Sequence, residues 1–282
     1  MRGGRDTSGR AGHMNPRLRP TVVRAPRHSI RWALELLWAL SVHRINLRYR
    51  ETVLGIGWIF FQPVALTIIF TYIFKRFAQV SSGTIPYPLF TATGLVAWSV
   101  TALVVGGSIG CLAGNHTLLK RVALPRILFP ISTVVATLAD LGILMLLLLL
   151  IGHYYQAVLP ATAPWVLLLL AIHMAFLVGV ACLTSLANVF LKDVGHAIPS
   201  LLQLWFFASP VFYPASMVPS EFSALARWNP MTGLIEGYRA VLLAGQPPPW
   251  LLVGPAMATT AVILGLALVV FRRLDGTMAD LL

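Results

Sequence analysis

Asp140 is a carboxylate set among Leu, Ile, Val and Phe residues. An acid in such surroundings is either a proton relay or a hydrogen-bonded structural group. Thr133 and Thr137 lie two turns and one turn before it, and His173, Asn188 and Gln203 in other apolar stretches offer further partners. A single isolated acid is thin support for proton coupling, so the structural reading is preferred. A second group is Arg44, Arg48 and Arg50, on a stretch of helical period just ahead of a long apolar run. Guanidinium groups at such a junction meet lipid phosphates. A third is the basic connection that carries Asn115, His116, Lys120, Arg121 and Arg126.

Other chemistries lack their parts. None of the three lysines, Lys75, Lys120 and Lys192, follows a glycine, so there is no Walker A loop to hold ATP phosphates. Asp140, Asp193, Glu221 and Glu236 are scattered, whereas a lipid phosphotransferase groups carboxylates around a divalent ion. There is no His pair at i, i+4 and no nucleophile elbow. Cys111 and Cys182 each sit inside an apolar run, and their spacing suggests neither a metal site nor a disulfide. The expectation is a chain with no catalytic residue, metal or cofactor of its own.

Of the 282 residues, 57% are hydrophobic and 11% charged, the composition of an all-α integral membrane protein. The net charge of +12 would suggest nucleic acid if it covered a folded domain. Eleven of the 21 Lys and Arg residues precede residue 51, however, so the charge reads as topological and lipid-facing, with no nucleic-acid partner. Residues 1–29 hold Arg, Gly and Pro with no apolar run and are expected to be a disordered basic tail, not a signal peptide. Gly12-His13-Met14 is compatible with an expression-vector junction, in which case the natural chain starts at Met14.

The elements that position these residues follow from apolar length. Residues 30–52 place Leu34, Trp38, Val42, Ile45 and Tyr49 on one side of a helix and the arginines on another. Such a helix is expected to lie flat on the membrane surface. Six spans follow, at residues 53–74, 87–112, 127–151, 164–191, 198–213 and 250–271, within a transmembrane domain covering 53–273. The fifth is near the short limit for crossing a core of roughly 30 Å. Gly106 and Gly110 in the second span suit ordinary close helix approach. Residues 214–245 alternate helix breakers with short amphipathic pieces and read as two re-entrant or interfacial outer helices. This topology puts seventeen Lys and Arg residues inside and four outside (Lys75, Arg76, Arg227 and Arg239), with both termini cytoplasmic and a tail at 274–282.

The run Leu47-Arg48-Tyr49-Arg50-Glu51-Thr52-Val53-Leu54-Gly55-Ile56-Gly57-Trp58, followed by Gln62-Pro63, resembles the start of the membrane subunits of bacterial polysaccharide ABC exporters, in the type-2 ABC exporter family. Similar pieces follow in order: Pro86-Tyr87-Pro88-Leu89-Phe90, Gly114-Asn115, Pro125-Arg126, Lys192-Asp193-Val194, Leu204 to Pro214 and Trp228 to Arg239. The resemblance covers about residues 31–273. It implies a homodimer in the bacterial inner membrane, docked to two separate ATPase chains that carry ATP and Mg, exporting a lipid-linked polysaccharide such as O-antigen or teichoic acid.

It further implies a coupling helix at about residues 114–125, with Asn115, His116, Leu118, Leu119, Lys120 and Arg121 facing the ATPase. Arg48, Tyr49 and Arg50 become candidates to receive a lipid diphosphate, although they suit ordinary anionic lipid equally well. Trp58, Phe61, Gln62, Trp98, Gln203, Trp205 and Phe206 become candidates to line a glycan path, since aromatic faces and amides suit sugars. Aromatic residues also anchor span ends or face lipid. Two alternatives stay open: a proton-coupled carrier using Asp140, and a family member that exports a drug or small lipid.

Overall fold

A computed structural model describes residues 30–49, 55, 57–76, 85–121 and 124–281, with side chains placed except at 75–76, 120–121 and 275–281. The described residues form helices and turns, without strands. In order the α-helices are α1 (Ile30–Tyr49), α2 (Gly57–Arg76), α3 (Tyr87–Ile109), α4 (His116–Arg121), α5 (Leu128–Tyr154), α6 (Trp165–Phe190), α7 (Val194–Ala208), α8 (Ser223–Trp228), α9 (Pro230–Leu242) and α10 (Trp250–Leu281). Residues 1–29, 50–54 and 122–123, including the expected basic tail and Arg50, lie outside the described residues.

Five helices, α2, α3, α5, α6 and α10, are long and apolar enough to cross a membrane. The fifth expected span corresponds to α7, which begins at Val194 and ends at Ala208 after 15 residues, about 22 Å. Its end has a local cause. Ser209 precedes Pro210 and is forced into extended backbone, with φ −104° and ψ 145°. α10 runs on through the expected tail to Leu281. The connection at 214–245 holds short 3₁₀ turns, α8 and α9. Asn229 caps α9 by accepting from the Met231 amide at 3.1 Å, with Pro230 at its first position.

α3 is the centre of the bundle. It packs against α2, α5, α6, α7 and α9, and 78% of its span is buried against 11% for α2. Leu95, Val100, Val104, Leu144, Phe176 and Ile235 fill the core. Outward-facing Leu146, Leu149, Leu150, Leu167, Leu251 and Leu266 present the apolar surface that lipid requires. At Gly94 a Cβ would stand 2.4 Å from the Val211 carbonyl oxygen, so only glycine lets the turn after α7 approach α3 this closely.

Two expectations change. Gly106 and Gly110 have nothing within 4 Å of a would-be Cβ, so the close helix approach expected there is not made within this chain. The helix α1 does not lie across the bundle. Ser41 meets Ser132 of α5, and eight residues later Tyr49 meets Asp140, again eight residues on. Equal advance means that the two helices run in the same direction over about 12 Å.

Candidate functional site

The seam between α1 and α5 is polar. Ser41, 2% exposed, donates to the carbonyls of Leu37 at 2.7 Å and Ser132 at 3.3 Å. Arg44 Nε donates to Ser132 Oγ at 3.0 Å. One turn later, Arg48 Nη1 forms an ion pair with the fully buried Asp140, and the Tyr49 hydroxyl donates to the other oxygen of the same carboxylate. Leu34 and Trp38 face away, 59% and 69% exposed. The contact face of α1 is therefore polar at its centre, while its exposed side mixes Leu34, Trp38 and Leu47 with Arg31 and Glu35.

This arrangement accounts for Asp140. A carboxylate near the middle of a span costs about 3 kcal/mol to insert. A guanidinium and a phenol compensate that cost here, in place of the His173, Asn188 and Gln203 partners suggested by sequence. Burial first, and the bond to Asp140 second, push the Tyr49 phenol up to about 12, so it remains a protonated donor. Arg44 is shifted down from its usual value by desolvation, which a hydrogen bond with Cys111 partly offsets. Its i, i+4 spacing with Arg48, extended back to Ser41, was the signal in the sequence for this seam.

Beside the seam lies a cavity of about 480 Å³. Arg48 and Tyr49 of α1, Trp58 and Gln62 of α2, and Trp98 of α3 line it. Five residues singled out separately in the sequence thus share one space. Trp98 stands edge-on to Trp205 at 5.4 Å and packs on Phe206 at 5.4 Å. Trp205 in turn lines a larger apolar groove of about 920 Å³ with Phe74, Tyr213, Phe222 and Trp228. It is held there by donation from Nε1 to Asn229 Oδ1 at 3.1 Å. The Trp98–Trp205 contact is therefore a wall between two hollows. Phe61, 59% exposed and edge-on to Trp58, and Gln203, also exposed, line neither hollow.

At the far end of α3, the expected coupling segment is a 3₁₀ turn, Ala113–Asn115, followed by the six-residue α4. Asn115 Nδ2 donates to the Cys111 carbonyl at 2.9 Å, and His116 Nδ1 is 3.1 Å from the Ala113 carbonyl. Leu119 is buried in a cluster with Leu112, Phe129, Leu186 and Phe271, whereas Leu118 is 38% exposed. Leu119 thus anchors α4 to the bundle, and Leu118 and His116 face out. The side chains of Lys120 and Arg121 lie outside the described residues.

A buried site not foreseen in the sequence lies at the α9 end. Arg239, 3% exposed, donates to the carbonyls of Phe90 at 3.3 Å, Pro210 at 2.7 Å and Val211 at 2.6 Å, and pairs with Glu236 at 3.0 Å. Its guanidinium also lies 3.5 Å above the Phe90 ring. Nearby, His173 joins Thr101 at 2.9 Å and the Tyr238 hydroxyl at 3.3 Å, tying α6 to α3 and α9.

Comparison with known proteins places this architecture. Residues 35–243 match the family described as ABC-2 type transporter. The chain is 30% identical over 230 residues to the O-antigen export system permease protein RfbA of Myxococcus xanthus, covering 80% of this chain and 86% of that protein. It is 25% identical over 223 residues to the protein of the same name from Klebsiella pneumoniae, covering 78% and 84%. To the polysialic acid transport protein KpsM of Escherichia coli it is 23% identical over 250 residues, covering 85% and 93%. With a family match over most of its length and helices built to span a bilayer, this chain belongs to the ABC-2 type transporter family of multi-pass membrane permeases.

Proposed function

We propose that this chain is the membrane half of an ATP-driven exporter that moves a lipid-linked polysaccharide across the bacterial inner membrane. O-antigen, teichoic acid and related envelope glycans are the substrate class. Two copies dock on two separate ATPase chains, with α4 and both termini on the cytoplasmic side. The observation that carries this reading is the 480 Å³ cavity, where an arginine and a tyrosine meet tryptophan faces and an amide. A phosphate group and a sugar would each find suitable neighbours there. The names of its relatives, O-antigen export permease and polysialic acid transport protein, support the same class.

The surfaces left open by the fold fit a dimer. α7 has no buried residue, and Leu201, Leu204 and Phe207 face away from the bundle. α2 likewise exposes Ile68, Ile69 and Tyr72. A second copy would cover these faces and enclose a path between the two chains. For coupling, an ATPase pushing on α4 would move Leu119, which is seated against Phe129 of α5 and Phe271 of α10, and so tilt both helices. Asp140 is committed to Arg48 and Tyr49, which disfavours the proton-carrier reading.

The test is depletion of the chain in its native cell. The expected result is a glycan trapped on its lipid carrier inside the membrane; accumulation of a drug or simple lipid instead would redirect the assignment. The double change Lys120→Glu with Arg121→Glu is expected to lower export at least tenfold while the protein still inserts. Unchanged export would remove α4 as the coupling element.

A further inference from the structure

We propose that Asn229 is the latch of a closed partition: it holds Trp205 edge-on to Trp98, so that the two hollows stay apart until the joint between α8 and α9 moves. This role rests on the export reading, in which both hollows belong to one path. Apolar constrictions close such paths by excluding water.

The hydrogen bonds carry the assignment. Asn229 is the single residue between α8 and α9. Its amide donates to the Leu225 carbonyl at 3.1 Å, closing α8, and its side chain accepts from the Met231 amide at 3.1 Å, opening α9. The same Oδ1 accepts from Trp205 Nε1 at 3.1 Å, and Nδ2 donates to the hydroxyl of the fully buried Ser209 at 3.0 Å. An indole and a backbone amide are donors only, so the Asn229 side chain can point in one sense alone. A helix cap needs one acceptor, which a serine or an aspartate supplies as well. Here the capping oxygen also reaches an indole 24 residues earlier, on another helix.

The partition is fixed on one side and held on the other. Trp98 lines the 480 Å³ cavity and Trp205 the 920 Å³ groove, and their rings meet at 5.4 Å with 80° between the planes. Trp98 is 8% exposed on α3, the central helix. Trp205 belongs to α7, which has no buried residue, and its ring stands edge-on to Phe176 at 6.0 Å. An indole N–H in apolar surroundings keeps to its acceptor, so the ring follows Asn229. Of the two helices that Asn229 joins, α9 is largely buried, whereas α8 has six residues and none buried. Movement at the joint is therefore movement of α8, and it shifts Asn229 and Trp205 with it.

The experiment uses the intact complex of this chain with its ATPase, in sealed vesicles without ATP, and reads proton leak with an entrapped pH dye. Trp205→Ala removes one side of the partition and is expected to raise leak about tenfold. Trp205→Phe keeps a ring and loses the N–H, while Asn229→Ser keeps the α9 cap and is too short to reach the indole. Each is expected to raise leak about threefold, and the pair together no further than either alone, as for two ends of one bond. Asn229→Asp keeps both acceptor bonds and is expected to stay tight. An Asn229 that only caps α9 predicts no leak in Asn229→Ser. Unchanged leak in Trp205→Phe and Asn229→Ser, effects that compound in the pair, equal leak in Asn229→Asp and Asn229→Ser, or a tight Trp205→Ala overturns the proposal. If Trp205→Ala fails to assemble, the milder variants decide. The expected leaks with no glycan trapped on depletion would remove the export reading and leave the partition standing; tight variants with glycan export intact would do the reverse.

Discussion

Arg239 at the α9 end and Arg44–Arg48 in the α1–α5 seam are both buried arginine sites, yet they are finished to different degrees. Each guanidinium nitrogen of Arg239 donates to a carbonyl or to Glu236, and an aromatic face covers it. Its partners come from α3, the turn after α7 and α9, so the residue staples three segments together. In the seam, Arg48 is paired but partly open to a cavity, and Arg44 is held by uncharged Ser132 and Cys111 alone. The contrast separates a lock from a seam that stays partly open to a cavity.

Four substitutions sharpen or break that contrast, read as thermal stability of the purified protein. Arg239→Gln is expected to have the largest effect, about 3–5 kcal/mol, because it leaves carbonyls and Glu236 without their donor. Arg48→Gln is expected to cost about 2–3 kcal/mol, since Asp140 keeps Tyr49 and Arg48 is already partly exposed. Ser132→Ala removes the acceptor of Arg44 and is expected to cost about 1 kcal/mol. Arg44→Gln is expected to change stability by less than about 1 kcal/mol, because the burial cost of the charge is relieved as its bond is lost. If Arg44→Gln proved as damaging as Arg239→Gln, the seam would be a second lock and the distinction would fail.

Much of the fold was legible because long apolar runs leave few choices. The helices α2, α3, α5, α6 and α10 fall within a few residues of the expected spans. The orientation of α1 was not legible by the same means. Apolar periodicity set Leu34 and Trp38 apart from the arginines, and both are exposed, but it could not show that Ser41, Arg44 and Arg48 would be taken up by α5. Nor could spacing reveal that Asp140 meets Arg48, 92 residues earlier, or that Arg239 meets Phe90, 149 residues earlier. Such pairings are tertiary facts. Of the glycan-path candidates, Trp58, Gln62 and Trp98 share the cavity because α2 and α3 pack side by side, while Phe61 and Gln203 fall on the outer faces of their helices.

The central claim is that the permease has no power source of its own and draws on ATP through a partner. Reconstitution into vesicles tests it most directly, with a lipid-linked glycan in the membrane and its accessibility on the far side as the readout. Translocation is expected only when the ATPase partner and ATP are both present, and it should be indifferent to an uncoupler. Translocation by this chain alone, or driven by a proton gradient without ATP, would contradict the account.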